Sequence, residues 1–134
     1  MIGTGSISSV ARIAFAVHLI VAVLIGIALL VFPVTFGGWF GYPVAPELAP
    51  ALRAFGAMLL GFGGLSSGFG LTAQRWEQVD YIVRCEIAYL SFQTVVFVVS
   101  AIMRSGPVGS NWAFAGISLV LLGLFVAAFV KPHE

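Results

Sequence analysis

The sequence predicts an all-α membrane protein with four transmembrane helices in an up-down bundle. Three observations carry that expectation: 60% of the 134 residues are hydrophobic, only 8% are charged, and the apolar residues fall into runs near the roughly 20 residues that cross a hydrocarbon core. The mean hydropathy is +1.11. A chain this short cannot hide so much apolar surface in a water-soluble interior, because small domains keep too much surface for their volume. Spans are expected at residues 11–32, 51–73, 80–103 and 111–130, which together make one four-helix transmembrane domain over residues 1–134.

Charge and cysteine usage narrow the function classes. A net charge of +1 with no basic block leaves no electrostatic footprint for nucleic acid. Cys85 is the single cysteine, so there is neither an internal disulfide nor a cysteine-based metal cluster, and a helix packing surface is its expected place.

The first ten residues, MIGTGSISSV, are small and polar and read as a short tail, with Ser8 or Ser9 placed to cap the helix that follows. Span one is apolar except for Arg12 and His18, and Pro33 stops it. Its run is longer than a signal-peptide core and no small-residue cleavage site follows, so it is expected to be retained. Ala11, Ala14, His18, Ala22 and Gly26 recur at spacings of three and four and share one face, where small residues let a neighbouring helix approach. His18 is therefore expected to face protein.

The connection PVTFGGWFGYPVAPELAPAL mixes glycine and proline with Phe36, Trp39, Phe40 and Tyr42, and reads as an interfacial anchor belt or as a lid. Span two is rich in glycine, with Ala54, Ala57, Gly61, Gly64 and Gly68 on one stripe, and is expected to be the most closely packed helix. It contains Gly64-Leu65-Ser66-Ser67-Gly68, which matches the G-x-S-x-G pattern; a nucleophile of that kind needs a sharp strand-to-helix turn, so the match reads as helix packing. A polar turn, Gln74 to Gln78, leads to span three. Span four follows a Gly-Ser-Asn turn, carries Gly116, Gly123 and Ala127 on one side, and ends at Lys131. Arg12, Arg75, Arg84 and Lys131 lie near the face bearing both termini, against Arg53 and Arg104 on the other, which favours cytoplasmic termini in an inner or plasma membrane.

Span three carries the chemistry. At about 100° per residue Glu86, Tyr89, Gln93 and Ser100 form one stripe filled in by Ile82, Leu90 and Phe97. Arg84 lies nearly opposite, one turn after Asp80, where an ion pair and the near headgroups satisfy it. Glu86 lies about 9 Å below Asp80, and His18 about 9 Å below Arg12, at the helical rise per residue. A buried carboxylate must be protonated, hydrated or paired, so a Glu86–His18 contact is expected. His18, Glu86, Tyr89 and Gln93 then form either a polar network that binds helices together or the wall of a pocket for an amphipathic ligand such as a quinone or lipid. No metal site is expected, because the other histidine, His133, is in the tail and Glu86 alone does not complete a ligand set.

Phe32-Pro33 at the end of span one, Arg53-Ala54-Phe55-Gly56-Ala57 opening span two, and Trp76-Glu77-Gln78-Val79 running on to Glu86 resemble the small four-helix membrane proteins called DoxX-like. The resemblance covers most of the chain. Some members are associated with quinone-linked oxidoreductase complexes, which implies an accessory subunit as readily as a catalyst, and it brings no established catalytic residue. The expected function is an accessory or scaffold subunit that docks partner helices or lipids without catalysis of its own. The alternatives are a quinone- or lipid-binding subunit of a membrane oxidoreductase and a small homo-oligomeric transporter. Expected partners are membrane lipids and other membrane subunits or further copies of the chain.

Overall fold

The computed structural model describes residues 6–132. The first five residues of the expected N-terminal tail, and His133 and Glu134 of the C-terminal tail, lie outside the described residues. Helix α1 (Ser9–Val31) is followed by a short α2 (Pro33–Trp39). Span two is composite: a 3-10 turn at Pro46–Leu48, α3 (Ala49–Met58), a π-helical stretch at Leu59–Leu65 and α4 (Ser66–Thr72). Helices α5 (Asp80–Ile102) and α6 (Val108–Val130) complete the chain. Four of these segments, α1, span two, α5 and α6, are long and apolar enough to cross a membrane. The architecture is an all-α, four-helix membrane bundle.

Local chemistry explains the boundaries. The Ser8 hydroxyl accepts from the Ala11 amide at 3.3 Å and caps α1, supplying one of the partners that the first turn of a helix lacks. The connection read as an anchor belt or lid, despite its glycines and prolines, is largely helical. Pro33, Pro46 and Pro50 each sit in a first helical turn, where the missing N–H costs nothing, so span two begins at Pro46 rather than at residue 51.

Hydrogen bonds at the two ends establish the up-down course. At one end the Ser8 amide donates to the Pro132 carbonyl at 3.2 Å and Arg12 Nη1 donates to the Leu71 carbonyl at 3.2 Å. At the other, the Tyr42 hydroxyl donates to Asn111 Oδ1 at 2.5 Å and the Ser110 hydroxyl donates to the Phe40 carbonyl at 2.6 Å. Gly106, at φ +85, makes the turn that brings Pro107 and the start of α6 beneath this connection, a backbone shape that a side chain disfavours. Ile7 and Ser8, expected in a polar tail, are instead buried against this end of the bundle.

Span two lies along α1, α1 along α6, and α6 along α5. Spans two and three share no extended interface, so the square of helices is open along one edge. Ala11, Ala14, His18, Ala22 and Gly26 are all buried, and α1 is the most buried span. That place had been expected for span two. Its packed glycines are Gly56, Gly63, Gly64 and Gly70, whereas Ala54, Ala57 and Gly61 of the expected stripe face outward. The buried face of α6 is likewise Asn111, Ala115, Ser118, Leu121, Phe125 and Ala128, with Gly116, Gly123 and Ala127 outside. Composition identified the small residues, but in lipid either face of a helix can carry them, and packing chose the face.

The tightest approach is backbone to backbone. A Cβ on Gly56 would stand 2.7 Å from the Gly26 carbonyl oxygen and 2.9 Å from the Leu30 nitrogen, distances that force the helices apart. Gly56→Ala should therefore lower the thermal midpoint of the detergent-solubilised protein, at the roughly 1–3 kcal/mol typical of overpacking. Gly116→Ala, which meets nothing within 4 Å, should leave the midpoint unchanged, and equal shifts for the two variants would refute this packing.

Candidate functional site

Polar side chains from three spans meet inside the bundle. His18 in α1 and Glu86 in α5 are 3% and 7% exposed, with His18 Nδ1 standing 3.6 Å from Glu86 Oε1. At that separation the two are within ion-pair range but beyond hydrogen-bond reach. Two serines of span two supply the hydrogen bonds: Ser67 Oγ lies 2.9 Å from His18 Nδ1, and the Ser66 hydroxyl donates to Glu86 Oε1 at 3.0 Å. Ser66 also lies within hydrogen-bond range of the Phe62 and Gly63 carbonyls.

The serines follow directly on the π-helical stretch Leu59–Leu65. Such stretches insert a residue into the helical register and recur at functional sites. Gly63, within it, passes close to α1: a Cβ there would lie 2.9 Å from the Ala22 Cβ and 3.6 Å from the His18 ring. The His18 ring is further fixed edge-on to Phe125 at 5.6 Å, and Phe125 meets Phe15 in the same manner at 5.4 Å, the geometry preferred by aromatic quadrupoles.

This is not a nucleophilic triad. A Ser-His-acid relay uses the two ring nitrogens separately, one toward the nucleophile and one toward the acid. Here serine and carboxylate both approach Nδ1, and Ser66, the central residue of the G-x-S-x-G match, bonds the acid. Ser66 also begins α4 within a continuous helical span, without the strand-to-helix elbow that the motif requires.

Two cavities flank the cluster. Cavity one, of about 280 Å³, is lined by His18, Tyr89, Gln93 and a largely aromatic and aliphatic wall, and its floor is formed by Phe36, Phe40, Tyr42 and Val44 of the connection after α1. Burial raises the pKa of the Tyr42 phenol above its usual value, so it remains a donor to Asn111. Phe40 and Phe97 pack on Phe114 at 5.0 and 5.3 Å between centroids. Cavity two, of about 350 Å³, lies between spans two and three and is lined by Met58, Phe62, Ser66, Tyr81, Cys85 and Glu86 among others. Tyr89 and Leu59 wall both cavities.

Tyr89 carries a buried hydroxyl with no hydrogen-bond partner among the described residues. Gln93 lies further along cavity one and makes no side-chain hydrogen bond among the described residues. Of the four residues singled out from the sequence, the structure therefore brings His18 and Glu86 together and sets Tyr89 and Gln93 along the cavity wall beside them. Ser66 and Ser67 were missed. Counting the helical rise back from Thr72 puts them about 8–9 Å below the same end as His18 and Glu86, and that depth match was available in the sequence. Cys85, expected in packing, is exposed. Arg84 pairs with Asp80 at 3.1 Å and stands 4.9 Å over the Phe129 ring, outside the site.

Two stability measurements check this arrangement. In a double-mutant cycle, His18→Leu and Glu86→Gln should each destabilise the solubilised protein, and the double variant should lose less than the sum by on the order of 0.5–3 kcal/mol; additive losses would dissolve the cluster. Tyr89→Phe should not destabilise the protein, because it removes a polar group buried at a cost of roughly 1–3 kcal/mol. A clear loss would mean that the hydroxyl is already satisfied.

Compared with protein-family models, curated proteins and solved structures, the chain matches none.

Proposed function

We propose that the protein binds an amphipathic molecule of the membrane, quinone-like or lipid, with its polar head in cavity one. The Tyr89 side chain, which walls both cavities and carries a buried hydroxyl with no partner among the described residues, is the observation that carries this reading. A buried hydroxyl without a partner costs free energy, and a head-group oxygen beside it recovers that cost. Gln93 adds an amide on the same wall, and the surrounding side chains are apolar, the usual composition of a small-molecule site. His18, held at Nδ1 by Ser67, adds a ring whose orientation is set from behind. The DoxX-like resemblance, with its association with quinone-linked complexes, agrees with this class of ligand. Both termini are assigned to the cytoplasmic side of an inner or plasma membrane by the distribution of basic residues.

Binding of a radiolabelled benzoquinone bearing a decyl chain, to protein in nanodiscs, tests the reading. Tyr89→Phe should weaken binding about tenfold, the loss expected when one head-group hydrogen bond is removed from a dry site, while leaving thermal stability intact. Absence of saturable binding to the unaltered protein, together with no copurifying neutral lipid on organic extraction, would overturn it.

A second reading is an accessory subunit that docks other membrane helices. It is favoured by the outward glycines: Gly61 and Gly68 meet nothing within 4 Å and line a shallow groove with Leu19, Val23 and Gly64. Stripes of small residues admit a second helix closely. Native mass spectrometry after gentle extraction should then find a partner subunit or a homo-oligomer, and a lone monomer would count against it.

A further inference from the structure

We infer that the ligand is a single-chain amphiphile with an uncharged head, and that it is admitted sideways from the bilayer through the cleft between spans two and three, leaving its chain in cavity two. This rests on the binding reading above and specifies its ligand. Of the four edges of the helical square, the one between spans two and three lacks an extended interface, and cavity two lies in it. The mouth is apolar on both sides: Met58 and Phe62 from span two, Tyr81 and Cys85 from α5, all exposed. Facing hydrocarbon, such surface draws in chains rather than water.

Charge decides the head. No lysine or arginine lines either cavity, so a phosphate brought inside would lack a countercharge at a depth where an unpaired ion is costly. The carboxyl of Glu86, on the wall of cavity two, adds repulsion against any anion whenever it is ionised. A carbonyl or hydroxyl head meets neither obstacle and offers Tyr89 a partner. Size decides the chain. The cavities of about 280 and 350 Å³ sit at the lower end of sites for drug-sized ligands. Leu59 and Tyr89 wall both cavities, so a single chain running from a head in cavity one into cavity two lies along these two side chains, and any greater length extends into the bilayer. The Ser66–Glu86 hydrogen bond, at 3.0 Å, crosses the cleft at the wall of cavity two and joins two spans that otherwise scarcely pack.

The test compares two probes that share a head, the decyl-substituted benzoquinone and its tail-less counterpart, on the protein in nanodiscs. Met58→Trp and Cys85→Phe fill cavity two from opposite sides at exposed positions, so the fold is retained, and unchanged thermal midpoints confirm that. Each should weaken the decyl probe about tenfold while leaving the tail-less probe unchanged, since only the chain meets the added rings. A decyl monoester of phosphate should compete at least about tenfold less well than decanol. If the unaltered protein binds neither quinone, the binding reading itself fails. If it binds both but the two variants weaken both probes equally or neither, or if the phosphate ester competes as well as the alcohol, the reading survives and this inference is overturned.

Discussion

A histidine and a carboxylate buried at the level where lipid excludes water impose the constraint on which this bundle turns. An ionisable group at that depth is costly unless it is partnered inside the protein. His18 and Glu86 are partnered less through each other, at 3.6 Å, than through Ser67 and Ser66. Adjacent residues on span two thus reach in two directions, one toward α1 and one toward α5. The Ser66 contact to α5 is the one that reaches away from α1, along which most of the packing of span two lies.

The rest of the architecture accommodates that meeting. Gly56, Gly63 and Gly70 let span two lie almost directly on the backbone and side chains of α1, which brings the serines within reach of the histidine. The π-helical stretch just before the serines sets their register. On the opposite side α5 is held by α6, and the Phe15–Phe125 contact locks α6 to α1. Closing three edges of the square in this way leaves the fourth, between spans two and three, bridged by a polar contact rather than by packed apolar side chains. Cavity two, at that edge, follows from the same arrangement, and the proposed route to the ligand site is its consequence.

Much of this was readable in the residues. The Ala11, Ala14, His18, Ala22, Gly26 face of α1 is the buried one, because helical periodicity alone dictates which residues share a side. The Glu86, Tyr89, Gln93 stripe faces inward for the same reason. Depth was legible too, since the rise per residue is constant, and it put His18 and Glu86 at one level. Other features were not. The stripe of Ala54, Ala57, Gly61, Gly64 and Gly68 assumed regular helical rotation through span two, and the π-helical stretch at Leu59–Leu65 breaks that rotation. The glycines of α6 satisfied the same pattern and proved to face outward. In the connection after α1, prolines that look like breakers are helix starters once they fall in a first turn, so sequence composition misjudged its structure.

The sequence by itself determined the solvent, the number of spans and the faces of regular helices, because hydropathy, length and a fixed angular step are properties of one segment at a time. Only the tertiary structure decided which small residues are contacts, which hydroxyls complete the buried cluster and which edge of the square stays open. Those depend on the relative rotation of separate helices. In lipid, where apolar faces are nearly equivalent, that rotation is chosen by close packing and by the need to satisfy a few buried polar groups.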